Sequence, residues 1–149
     1  MNRSLRSLIP YLLLLGVVIL GLYGLARLGS PANSSSLTLE VSPSDWVRGP
    51  ASASVTLIEY SDFQCPACGA YYPIVNQLKA AFPEDLRIVY RHFPLEKTHP
   101  YALAAAWTAE AAGKQNKFWE MHDLLFERQR EWSAGGEPSG TFADYAKTI

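Results

Sequence analysis

Cys65 and Cys68 are the only two cysteines of the chain, and Pro66 and Ala67 separate them. A pair this close is suited to making and breaking a disulfide within itself. The species that attacks a disulfide is the thiolate, not the thiol. The N-terminal end of a helix offers unpaired N–H groups and a positive dipole, and both favour an anion. Pro66 suits the first turn of a helix. Cys65 is therefore expected at the helix start with its sulfur outward, and Cys68 one turn further in. On this reading Cys65 attacks, or is attacked by, a partner sulfur, and Cys68 resolves the mixed disulfide. Other uses of the pair stay open: half of a zinc site completed by His92, His99 or His122, an inert local disulfide, or two buried thiols. A structural zinc site usually takes four ligands, and there is no second cysteine pair. A stapling framework needs cysteines spread along the chain.

Glu59 lies six residues before Cys65. A carboxyl buried beneath a dithiol is pushed toward its neutral form and can take protons during exchange. The alternative is a solvated glutamate on the other strand face. Asp62 reads as a capping or solvated residue of the turn. His99, before Pro100, reads as a helix-entry residue rather than a catalyst. Trp107, Phe118 and Trp119 read as core, as do Met121, Leu124 and Leu125 by their helical spacing.

The elements that would hold these residues follow from composition and punctuation. Leu37–Val41 alternates like a short strand, and a loop carrying Trp46 follows, marked by Pro43, Gly49 and Pro50. Ser54–Tyr60 is β-branched and apolar, as expected of a central strand. A helix is expected from Pro66 to about Phe82, stopped by Pro83. Leu86–His92 reads as the next strand, with Ile88, Tyr90 and His92 on one face and Val89 and Arg91 on the other. The Ala-rich stretch Pro100–Ala112 is helical and stops at Gly113. Asn116 would cap a helix running to about Arg130, a loop spans Ser133–Gly140, and Thr141–Ile149 begins a further helix. A strand leading into a helix that opens on Cys-x-x-Cys is the redox arrangement of thioredoxin-like α/β domains.

The formal net charge is −1. The first 28 residues hold Arg3, Arg6 and Arg27 and no acid, so the remainder is acidic and has no basic patch for nucleic acid. Ser7–Ala26 carries no charge and is mostly apolar; as a helix it would span roughly 30 Å, the thickness of a bilayer core. Arg3 and Arg6 place the N-terminus in the cytoplasm by the positive-inside rule. The alternative is a cleaved signal peptide, whose apolar core is usually shorter. Either way the domain is exported. The expected organisation is a cytoplasmic tail at 1–6, a transmembrane anchor at 7–28, a linker with a short strand at 29–45, and the redox domain at 46–149, single-pass and extracytoplasmic.

Val55 to Cys68 (Val-Thr-Leu-Ile-Glu-Tyr-Ser-Asp-Phe-Gln-Cys-Pro-Ala-Cys) resembles DsbA-like thiol–disulfide oxidoreductases. So do Tyr90 to Leu95 (Tyr-Arg-His-Phe-Pro-Leu), His99-Pro100, and Lys117 to Phe126 (Lys-Phe-Trp-Glu-Met-His-Asp-Leu-Leu-Phe). The likeness covers about residues 46 to 145 and is strongest to membrane-anchored bacterial members. It implies a thioredoxin fold with an inserted helical domain, Cys65 as nucleophile, Cys68 as its partner, and Glu59 as the acid beneath the pair. It implies no cofactor beyond the redox-active disulfide. It implies as partners exported proteins with free thiols, and a quinone-linked membrane oxidase that restores the disulfide. Donation of disulfides is the expected direction; a reductase, an isomerase or a non-catalytic thioredoxin-like binding module is the alternative. Members of the family continue into two more strands, the first preceded by a cis-proline, and a last helix. The resemblance therefore implies an incomplete member, lacking the C-terminal strands.

Overall fold

The computed structural model of the chain describes residues 13–23 and 40–149. It divides into two compact units, Met1–Thr38 and Leu39–Ile149. In the first unit residues 13–23 are helical (α1). Among the described residues no helix is long and apolar enough to cross a membrane. The rest of the Ser7–Ala26 run, the tail at 1–6 and the linker through 39 lie outside the described residues.

The second unit runs β1 (Trp46–Arg48), β2 (Val55–Ser61), α2 (Pro66–Ala81), β3 (Leu86–His92), α3 (Ala102–Gly113), α4 (Phe118–Glu127), α5 (Gln129–Ser133) and α6 (Ser139–Thr148). The three strands order β1-β3-β2. β2 and β3 are parallel, joined through α2 as a β-α-β crossover, and β1 runs antiparallel on the other side of β3. The register sets Leu57 beside Ile88, Glu59 beside Tyr90 and Ser61 beside His92. These six side chains share one sheet face. The opposite face carries Thr56 with Arg87 and Tyr60 with Arg91, each pair hydrogen-bonded.

The core lies on the first face. Tyr90 meets Phe63, Phe118, Phe126 and the ring of His122 there. Ala105, Ala109 and Ala112 give α3 a small-residue face that lets α4 approach, while Phe118, Met121 and Leu125 fill the space from α4. Trp46 closes one end: its indole stacks on Phe118 with centroids 4.2 Å apart and donates to Glu110 at 2.6 Å.

Several expectations need correction. Among the described residues β3 lies between β1 and β2: Ile88, Val89 and Tyr90 are buried, while the residues of β2 before Ser61 are exposed or half-buried. Residues 37–39 of the expected strand Leu37–Val41 are outside the described residues, and Glu40 and Val41 are not in a strand. The antiparallel partner of β3 is instead Trp46–Arg48, in the expected loop. The single helix expected after Asn116 is two, interrupted at Arg128. Asn116 adopts a left-handed φ of 61° rather than capping it. Trp107 is 66% exposed and is not core. The stripe of Phe118, Met121 and Leu125 is buried as expected, with Leu124 and Trp119 partly buried against it.

Gly113 is buried where a β-carbon would overlap the Trp46 indole. Gly113→Ala is expected to destabilise the domain by about 1–3 kcal/mol through overpacking. Chemical denaturation followed by Trp fluorescence measures this, and an unchanged midpoint would show that Trp46 yields without cost.

Candidate functional site

The site is built on the turn between β2 and α2. Asp62 is 3% exposed. Its Oδ1 accepts the Gln64 N–H at 2.7 Å, and its Oδ2 accepts the Leu95 N–H at 2.9 Å and the Nδ1–H of His99 at 2.7 Å. The Cys65 N–H returns to the Asp62 carbonyl at 3.1 Å. Two glutamines complete the turn. Gln64 accepts the Tyr101 N–H at 2.6 Å and donates to the Ser133 carbonyl at 3.1 Å. The amide nitrogen of Gln129 donates to the Phe63 and Cys65 carbonyls, both at 2.8 Å. Gly69 makes room for this, since a β-carbon there would overlap the Gln129 amide. The chain from Ser61 to Gln64 is fully buried, and side chains replace the water its backbone would otherwise bind.

Cys65 is the N-cap residue of α2, with extended backbone dihedrals, and Pro66 follows inside the first turn. Pro66 and Ala67 are exposed beside it. Cys65 and Cys68 are both half-buried and unbridged. Cys68 packs against the hydrophobic core. Burial pushes its thiol pKa up, the Ser61 hydroxyl and the Asp62 N–H work against this, and the neighbouring Cys65 adds to it. The two sulfurs therefore differ in kind. One stands at a helix N-terminus, where negative charge is favoured; the other is held as a thiol by its surroundings.

The remaining expected residues sit as follows. Glu59 is on the helix-covered sheet face, two residues from Ser61 and level with Tyr90. It is half-buried, not on the opposite face. His99 does more than enter a helix: it holds Asp62. His92 lies 3.0 Å from Glu110, and burial lowers its pKa against the pull of that carboxylate. His122 is buried among aromatic rings with Nδ1 2.9 Å from Asp123. The three histidines thus have separate partners, and among the described residues no group of three or more His, Cys, Asp or Glu side chains converges on a point.

Sequence reasoning assigned no role to Gln64, Gln129 or Ser61. Gln64 adjoins Cys65 and was open to notice. Nothing local marks Gln129, which comes from 64 residues along the chain.

A family profile described as thioredoxin matches residues 41–148. Among curated proteins, the chain is similar to "Na(+)/H(+) antiporter NhaA 1" of Salinispora arenicola, 50% identical over 107 residues, which is 71% of this chain and 16% of that protein. The chain thus spans about one sixth of the length of that relative. Among solved structures it resembles alpha-DsbA1 of Wolbachia pipientis (TM-score 0.63, 21% identity, 74% of this chain and 56% of that one). It also resembles a thioredoxin-like oxidoreductase from Silicibacter pomeroyi DSS-3 (TM-score 0.59, 28% identity, 72% and 57%).

Gln129→Leu keeps the volume and removes both donated hydrogen bonds. The buried Phe63 carbonyl loses its donor. The expected cost is about 2 kcal/mol of unfolding free energy. A denaturant midpoint indistinguishable from that of the parent would show that Gln129 does not hold the turn.

Proposed function

This chain belongs to the thioredoxin family, and from that membership we propose that it is a thiol–disulfide oxidoreductase acting through Cys65 and Cys68. The placement of Cys65 ahead of α2, with Cys68 one turn inside against the core, carries the reading. When the pair is oxidised, a substrate thiolate attacks the Cys65 sulfur. The Cys65–Cys68 bond breaks, a mixed disulfide forms, and Cys68 leaves as a thiolate that takes a proton. A second substrate thiolate then attacks the substrate sulfur of that mixed disulfide. The substrate gains a disulfide, and the enzyme keeps two electrons as its dithiol. To Glu59, on the same sheet face as Ser61, we assign the exchange of that proton with Cys68.

The setting we propose is extracytoplasmic. The uncharged run Ser7–Ala26 is the anchor of a single-pass protein, with 1–6 in the cytoplasm and the 46–149 domain outside. Its substrates are exported proteins with free thiols, and a quinone-linked membrane oxidase returns the pair to the disulfide. Antiport is not carried over from the curated relatives, because the match spans so small a share of their length.

The full chain in detergent, oxidised at Cys65–Cys68, is expected to transfer one disulfide per molecule to a reduced, unfolded secretory protein. Cys65→Ser should transfer none. Cys68→Ser, charged at Cys65 as a mixed disulfide with a single-thiol peptide, should hold it, because neither Cys68 nor a second substrate thiol is there to displace it. Formation of the internal disulfide without transfer to or from any protein thiol, in thiol-oxidation and insulin-reduction assays alike, would make the domain a binding module instead.

A further inference from the structure

Behind the dithiol lies a histidine that the exchange reaction as described does not use. His122 is 4% exposed. Phe63, Tyr72, Tyr90, Phe118, Trp119 and Phe126 enclose its ring at centroid distances of 4.7–6.0 Å. Its orientation is fixed from one side. Nδ1 faces Asp123, and the Asp123 carboxylate receives Arg48 at 2.8 and 3.2 Å. The Arg48 guanidinium lies over the Trp119 ring at 4.3 Å. With the Nδ1–H donated to Asp123, the lone pair is on Nε2. That nitrogen is buried and has no partner among the described residues. A phenylalanine would fill such a box without an orphaned acceptor, so the box as built points to a use for Nε2.

The other groups that bear on the ring are identifiable. Arg48 comes from β1, Glu59 from β2, Tyr90 and His92 from β3, Tyr72 from α2, and Asp123 from α4. Glu59 is the acid of β2 whose charge reaches the ring. It is level with Tyr90 on the face toward which His122 packs. Its charge acts on both Tyr90 and His122, and Cys68 acts on Tyr90 in turn. Glu59 itself is half-buried.

We propose that His122 is a positioning residue for disulfide exchange, its Nε2 receiving the O–H of Glu59 whenever Glu59 holds the proton of Cys68. The inference rests on the exchange reading above. In the resolving step the Cys68 sulfur attacks the Cys65 sulfur of a mixed disulfide. The Cys65–Cys68 bond forms, the bond to the substrate sulfur breaks, and the substrate leaves as a thiolate. The Cys68 proton passes to the Glu59 carboxylate, whose new O–H turns to Nε2. In the reverse step the same proton returns to the Cys68 thiolate. Burial lowers the His122 pKa against the opposing pull of Asp123, which keeps Nε2 an acceptor at neutral pH.

Ring ¹⁵N NMR of the full chain in detergent, chemically oxidised and then chemically reduced, tests this directly. The Nε2 signal is expected to differ between the two redox states, and the difference should vanish in Glu59→Gln. Stopped-flow exchange with a thiol substrate gives the second readout. Glu59→Gln and His122→Asn should each slow resolution by about threefold to tenfold with an altered pH profile, since one proton transfer is impaired. The double variant should be no slower than Glu59→Gln alone, as for two groups acting through one step. An identical Nε2 signal in both redox states overturns the proposal, as does a His122→Asn variant that only melts earlier with an unchanged pH profile. The NMR comparison needs no protein substrate. It therefore separates failure of this inference from failure of the exchange reading.

Discussion

The carboxylate of Asp62 is buried and accepts three hydrogen bonds, from Gln64, from Leu95 and from His99. It sits where a strand ends and a helix begins within four residues, out of reach of water. A buried carboxylate is tolerated only when its oxygens are saturated, and a buried turn only when its backbone groups are. Asp62 meets both conditions at once. It ties the turn to the segment before α3, while Gln64 reaches the N-terminus of α3 and Ser133, and Gln129 reaches back from α5 to the Cys65 carbonyl. The helical segments after β3 are therefore not an appendage to the redox helix. They supply the donors and acceptors that fix where its first residue stands.

From that anchor the difference between the two sulfurs follows by geometry. One helical turn separates Cys65 from Cys68, and that turn crosses from the rim of the domain to its core. The same sheet face carries Ser61 at the sulfur, then Glu59 beside Tyr90, with His122 packed on Tyr90. The layer is largely aromatic, so a polar group buried in it must find a partner or have a use. The opposite face of the sheet is held differently, by Arg91 between Asp45 and Tyr60. Hydrogen bonding to Arg91 holds the Asp45 carboxyl below its usual pKa.

The local signals in the sequence were readable because their causes are local. Pro66 and Pro83 bracket α2, and the β-branched and apolar run of Leu86–His92 is a strand wherever it is placed. The pairing of Cys65 with Cys68 at a helix start needed only their spacing and Pro66. What the sequence did not disclose depends on distant partners. Trp46–Arg48 is a strand because β3 is beside it, and its three residues have no periodicity of their own. Whether β2 or β3 is central depends on which strands flank them, not on their composition. The helix after Asn116 breaks at Arg128, and Gln129 then turns inward to Cys65, a position that spacing along the helix gives no reason to expect. His99 read as a helix-entry residue because the carboxylate it meets is 37 residues away.

On the proposed function, the fixed turn makes Cys65 the reactive sulfur and keeps Cys68 a protected thiol. Timed alkylation of the fully reduced chain at neutral pH, with peptide mapping of each cysteine, tests it most directly. Cys65 should be labelled well before Cys68, and unfolding in denaturant should bring the two rates together. Preferential labelling of Cys68, or equal rates in the folded chain, would contradict the account.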